Sequence, residues 1–149
     1  MLCLLDTNIL LRLANLQDPQ YAIAMNSVVT LRKQGYTLCI TPQNLIEFRS
    51  GATRPADKNG LGLTSLIANQ DALTFERAFH FLSDHSDIYP TWKQLVTQAV
   101  VISKQVHDAR LVAVCHVYGV SHLLTFNTKD FLRFAQIRPG LVITSPSSI

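Results

Sequence analysis

The hydrophobic positions of this chain fall into short apolar runs that alternate with longer segments of helical period. Leu2-Cys3-Leu4-Leu5 is continuously apolar, the pattern of a strand buried on both faces of a parallel sheet. Asp6-Thr7-Asn8 then supplies capping chemistry, predicting a helix through Leu13. Asp18-Pro19 opens a second helix that runs to Gly35, with Pro at the first helical position and Tyr21, Ala24, Met25, Val28 and Val29 on one face. Thr37–Ile40 reads as a second strand, and Thr41-Pro42 opens a third helix carrying Leu45, Ile46, Glu47 and Phe48. The segment from Gly51 to Gly62 is polar and glycine-containing, a loop by composition.

Beyond that loop, helices are predicted around Thr64–Leu82 and Trp92–Lys104, with a short strand at Asp87–Tyr89 between them. A further helix, Val106–Tyr118, stops at Gly119, a good C-cap. His122–Thr125 and Leu141–Ile143 read as the last strands, around a short helix from Thr128 to Phe134. The alternation of strand and helix predicts an α/β sheet, and nothing repeats internally.

Composition narrows the class. A chain of 149 residues fits one domain, expected here to span residues 1–149, and buries enough surface to fold without staples. Only 15% of residues are charged, against about 25% in an average domain, so each charge carries more information. The net charge of +3 is a mild basic excess, which admits an RNA partner without demanding one. Cys3, Cys39 and Cys115 are odd in number and lack zinc spacing, so reduced, buried thiols are expected. Asp6 interrupts the first apolar run too early for a signal-peptide core, and Ala99–Ile102 is far short of the ~20 residues of a membrane span. A soluble, cytoplasmic protein with no membrane association is expected.

In open parallel sheets, ligands bind outside the carboxyl ends of the strands. Asp6 directly follows the first strand, and Glu47 lies in the helix after the second. Asn127 and Asp130 follow the fourth strand, and Asp108 lies in the first turn of the helix leading into it. Gathered carboxylates suit a hard cation such as Mg²⁺, which takes oxygen ligands and works with phosphate. Each residue also has a plainer role. Asp6 serves equally as an N-cap, Glu47 as a solvated helix acid, and Asp108 as an acid favoured by the helix dipole. Asn127 and Asp130 have the spacing of a capping box. The histidines His80, His85, His107, His116 and His122 show no zinc spacing, and no glycine-rich phosphate loop, G-x-S-x-G or H-E-x-x-H occurs.

Four blocks, L-L-D-T-N-I-L-L, T-P-Q-N-L-I-E-F, V-H-D-A-R-L-V-A and L-L-T-F-N-T-K-D-F, resemble in order and spacing the signature of PIN domains. A-T-R-P with N-G-L-G (Ala52–Pro55 and Asn59–Gly62) is similar to a bacterial subgroup of VapC-like toxins, and the resemblance spans residues 2–131. It implies a three-layer α/β/α fold with a mainly parallel five-stranded sheet. It further implies Mg²⁺- or Mn²⁺-dependent cleavage of RNA, a homodimer, and inhibition by a cognate antitoxin protein. Position by position, Asp6, Glu47 and Asp108 match the core acidic ligands of the metal, Thr125 the hydroxyl beside them, and Asp130 a further acid. The fourth core position is Asn127, an amide that ligates through oxygen but brings no charge, so one tight Mg²⁺ is expected. Arg12, Arg49, Arg54, Lys104, Arg110 and Lys129 are the cations nearest the site in sequence. Two alternatives stand beside this reading: a catalytically weak PIN-like RNA-binding module, and a phosphotransfer enzyme with Asp6 as nucleophile.

Overall fold

The computed structural model describes residues 1–149. Its elements in chain order are β1 (Leu2–Leu5), α1 (Thr7–Leu13), α2 (Tyr21–Lys33), β2 (Thr37–Ile40), α3 (Pro42–Thr53), α4 (Ser65–Ala78), β3 (His80–Phe81), α5 (Ile88–Gln98), α6 (Gln105–Tyr118), β4 (His122–Leu124), α7 (Thr128–Ile137) and β5 (Val142–Thr144). Short 3₁₀ turns lie at Ala56–Lys58 and Pro146–Ser148. The five strands form one wholly parallel sheet in the order β3-β2-β1-β4-β5.

The alternation of side chains along a strand sorts this apolar sequence into two cores. On one face Cys3, Leu5 and Ile40 meet Leu10, Phe48 and Phe75 from the helices α1 to α4. On the other, Leu4, Cys39 and Leu123 meet Leu95, Val112 and Phe131 from α5 to α7. Layers of helix on both faces explain why β1 is apolar at every position, and they give the expected three-layer α/β/α arrangement. All three cysteines are buried and free, as expected. No helix is long and apolar enough to cross a membrane.

Three local expectations need correction. The strand expected at Asp87–Tyr89 is the turn and first residues of α5, and the third strand is instead His80–Phe81. That strand is two exposed residues inside the apolar run Phe79–Leu82, which reads as the end of the preceding helix. It exists because Cys39 and Ile40 of β2 offer an open edge, to which Leu82 N–H also donates at Ile40 O. Helix α2 begins at Tyr21, after Asp18 Oδ1 has captured the Gln20 N–H in a turn. Helix α3 continues to Thr53, into the expected loop. The remainder of that loop folds back on Arg54, whose carbonyl would lie 2.0 Å from a Cβ at position 60, so only glycine fits there.

Helices α5 and α6 end in the same way with different residues. Each carries a left-handed residue after its last turn, followed by an N–H that reaches back five residues: Val101 to Val96 O, and Val120 to Cys115 O. At the end of α6 the left-handed residue is Gly119, as expected; at the end of α5 it is Val100, with φ 49°.

Candidate active site

The strand order places β2 on one side of β1 and β4 on the other, so the crevice of this sheet opens at the carboxyl ends of β1 and β4. Asp6 stands there, its N–H donating to Leu124 O at 2.9 Å. Its carboxylate accepts from Thr7 N–H at 2.7 Å on one oxygen, and from Asn8 Nδ2 at 2.8 Å and Thr125 Oγ1 at 2.6 Å on the other. The residue is 7% exposed. Capping and site roles coincide, because the cap of α1 is what fixes the acid in the crevice. With both oxygens engaged and little exposure, Asp6 is poorly placed to attack a phosphoryl group as a nucleophile.

Glu47 faces it from α3. Thr7 Oγ1 donates to one of its oxygens at 2.7 Å, and Gln43 Nε2 to the other at 2.7 Å. Gln43 sits one turn earlier on the same helix and also donates to His107 O at 2.8 Å, which ties α3 to the first turn of α6. The start of α3 is itself pinned: Thr41 and Asn44 form a reciprocal capping box, and Asn44 Nδ2 donates to Leu5 O at 3.0 Å. The plain reading of Glu47 as a solvated surface acid does not describe this half-buried carboxylate.

Asp108 enters from the first turn of α6, half-buried and with no hydrogen bond stabilising its charge. Burial pushes its carboxyl up to about 7, with Asp6, Asp130 and Glu47 adding repulsion and Arg133 opposing it. Asp6 is likewise pushed up to about 6, chiefly by burial, against the hydrogen bonds from Thr125 and Thr7; Glu47 and Asp130 add to the rise. Four acids therefore share one electrostatic environment. The ion pairs of the protein are Arg12–Asp18, His85–Asp87 and Arg110–Asp84, so none of the four is neutralised by a cation in contact.

Thr125 is fully buried and central: besides donating to Asp6 it accepts from Asn8 Nδ2 and from Asn127 N–H. Asn127 caps α7 without a side-chain hydrogen bond, so no capping box forms with Asp130 and the amide is left exposed. Residues Phe126 to Asp130 line an open pocket of about 250 Å³. The structure thus brings together Asp6, Glu47, Asp108, Thr125 and Asp130, with Asn127 at the rim.

No three Asp, Glu, His or Cys side chains close into a ready-made metal cage. Mg²⁺ keeps several waters and takes one or two protein carboxylates, so it needs no such cage. Hard oxygen donors, acids with no cation in contact, and carboxyls raised by burial and then by one another fit a divalent cation. Among the cations noted from the sequence, Arg12 is committed to Asp18 and Gln20, Arg110 to Asp84 and Gln43, and Arg49 to Asn69 and Leu45 O.

Thr7, Asn8, Gln43 and Asn44, which orient the acids, and Arg133, which lies within their field, are not among the site residues expected from the sequence. Thr7 and Asn8 were visible as cap residues beside Asp6, and Gln43 as a partner four positions before Glu47. Nothing local marks Arg133, whose side chain donates to Gln105 across the α6–α7 contact.

A sequence profile described as the PIN domain matches residues 3–137. A search of curated proteins finds no match. Among solved structures, VapBC2 from Rickettsia felis, bound to a DNA fragment from its promoter, superposes with a TM-score of 0.70 at 18% identity, covering 97% of this chain and 98% of that one. A toxin–antitoxin complex from Klebsiella pneumoniae gives a TM-score of 0.63 at 21% identity over 94% and 95% of the two chains. VapC20 from Mycobacterium tuberculosis, described as a toxin cleaving the sarcin–ricin loop, gives 0.59 at 16% identity over 81% and 86%. At these identities the likeness to the solved structures is one of fold.

Proposed function

The chain belongs to the PIN-domain family, and on that premise we propose that it is a metal-dependent endoribonuclease serving as the toxin of a toxin–antitoxin pair. The observation that carries this reading is the meeting of Asp6, Glu47, Asp108 and Asp130 in one crevice without a neutralising cation. Mg²⁺, or Mn²⁺ in its place, would be held by Asp6 and Asp108 with Glu47 beside them, and when bound would offset phosphate charge and acidify a water.

The protein's own residues divide the remaining work. Thr7, Asn8 and Thr125 fix the Asp6 carboxylate so that its free lone pairs keep one direction. Thr7 and Gln43 do the same for Glu47, the group placed to orient a water or share the ion. Asp108 has no hydrogen bond to surrender, so its oxygens are available to a ligand at little cost. Asn127 contributes an oxygen without charge, which supports one tightly held ion per site rather than two. Asp130 adds negative charge from the first turn of α7.

The partners in this reading are RNA as substrate, a second copy of the chain as a homodimer, and a cognate antitoxin protein. Support for a protein partner comes from complexes among the structural relatives, the Klebsiella toxin–antitoxin pair being one. Exposed Ile46, Leu66, Ile67 and Leu73 on α3 and α4 offer apolar surface for such contacts.

The test is cleavage of RNA by the purified chain. Cleavage is expected with Mg²⁺, is expected to stop in EDTA, and is expected to be absent from Asp6→Asn protein of unchanged circular dichroism. Cleavage that survives both EDTA and Asp6→Asn would contradict the proposal.

A further inference from the structure

Outside the acid crevice, α5 carries an exposed aromatic and cationic arrangement that none of the roles above uses. Tyr89 is 64% exposed, and its ring lies 5.7 Å from that of Trp92 at an interplanar angle of 27°. Lys93 Nζ stands over the Tyr89 ring, 5.9 Å from its centre, on a flexible stem that can swing off that face to meet a phosphate. An exposed Tyr backed by a half-buried Trp is a rigid π-surface, since the indole behind it is itself fixed: Trp92 Nε1 donates to Val106 O at 2.7 Å.

That bond places the arrangement relative to the site. Val106 belongs to the first turn of α6, and the next carbonyl, that of His107, accepts from Gln43, the same amide that holds Glu47. The helix turn bearing Asp108 therefore joins the aromatic pair to the acid crevice. The charge pattern is permissive for a polyanion. Between Asp87, which precedes α5 and pairs with His85, and Asp108 of the crevice there is no acidic residue, while Lys93 and Lys104 are both present. The open face of α5 also shows Gln94, Thr97 and Gln98, polar but uncharged groups suited to sugar and phosphate contacts more than to a dry protein interface.

We propose that Tyr89, backed by Trp92 and flanked by Lys93, is a stacking platform that takes an unpaired base of the RNA near the catalytic crevice. Aromatic platforms of this type hold single strands because every base offers a π-face, and a neighbouring cation takes the phosphate. Bases paired in a duplex present no such face. The platform rests on the reading of RNA as substrate, but it concerns binding alone and separates from catalysis in the test.

The experiment is equilibrium binding, at fixed salt and in EDTA, of an unstructured RNA containing 2-aminopurine, with an RNA duplex of the same length as control. Stacking is expected to quench the 2-aminopurine on wild-type protein. Tyr89→Ala is expected to weaken single-strand binding roughly 5- to 100-fold and to leave duplex binding within about twofold. Tyr89→Phe, which keeps the ring, is expected to retain both, and Lys93→Ala to lower the salt dependence by about one phosphate contact. A single-strand affinity unchanged by Tyr89→Ala, an equal loss on strand and duplex, or no single-strand binding by wild-type protein would overturn the platform. Stacking that survives where Mg²⁺ brings no cleavage would uphold the platform and remove the nuclease reading.

Discussion

Asp6 and Glu47, on the β1–α1–α3 side of the crevice, are held by protein donors on every carboxylate oxygen; Asp108 and Asn127, on the α6–α7 side, reach the same crevice with no side-chain hydrogen bond. The first side is built before any ligand arrives, its geometry set by a helix cap, a capping box and a buried threonine. The second is left for the ligand to complete. The carboxyl with no hydrogen bond, that of Asp108, is also the one burial and crowding push higher, to about 7 against about 6 for Asp6. Hydrogen bonds direct a carboxylate and stabilise its charge but do not neutralise it. A site can therefore be preorganised on one side and still await a cation.

The largest effects expected from this asymmetry are on catalysis. Asp6→Asn and Asp108→Asn should each abolish RNA cleavage, but they should part company in stability without metal. Asp108→Asn removes a crowded charge and breaks no hydrogen bond, so melts in EDTA at pH 8 should show it more stable than wild type by about 1–2 kcal/mol. Asp6→Asn turns an acceptor into a partial donor facing Asn8 and Thr125, and should show no such gain. Equal stabilisation by both would erase the distinction between the two sides.

Next come the residues that orient. Thr125→Val and Thr7→Val remove hydrogen bonds to Asp6 and Glu47 without touching a ligand, and should cost roughly 10- to 100-fold in cleavage or in Mg²⁺ affinity. Wild-type kinetics from either variant would show that the held side needs no holding.

The pH dependence follows from the raised carboxyls. Asp6 and Asp108 have folded-state values above those of the unfolded chain, so between about pH 4 and 7 the folded state binds more protons and stability falls as pH rises. In EDTA these two groups contribute most to stability near pH 4 and lose that contribution as pH rises through 7. Mg²⁺ competes with the same protons. The shift in melting temperature on adding Mg²⁺ should therefore be large at pH 8 and nearly absent at pH 5; a shift equal at both values would place the ion elsewhere.

The smallest effect concerns the connection that delivers Asp108. Val100 adopts a left-handed φ of 49° where α6 ends with glycine, and a β-branched residue pays for that conformation. Val100→Gly should raise stability by roughly 1 kcal/mol in denaturant melts. A loss would show that Val100 packs better than its exposure of 76% suggests.

Much of this was readable from residues alone, for identifiable reasons. β1 and α1 were legible because a continuous apolar run meets a cap at Asp6. The acids stood out because the chain carries so few charges, and Gly119 marked the end of α6. β3 was not legible, since Phe79–Leu82 runs straight on from the helical pattern of α4 and His80 and Phe81 become strand only by pairing with β2. The orienting residues Gln43 and Asn44 look like ordinary polar helix positions until the fold brings His107 O and Leu5 O to them. The exposed Tyr89–Trp92 pair was hidden because Asp87–Tyr89 reads as a strand; only with α5 starting at Ile88 do the two rings stand three positions apart on one helix.

The central claim is that the acids of both sides hold one cation that RNA cleavage requires. Calorimetric titration of Mg²⁺ into the wild-type chain and Asp108→Asn at pH 8, without RNA, tests it most directly. The account predicts a single site in the wild type that is lost or greatly weakened in Asp108→Asn. Unchanged binding by Asp108→Asn, or two wild-type sites of comparable affinity, would contradict it.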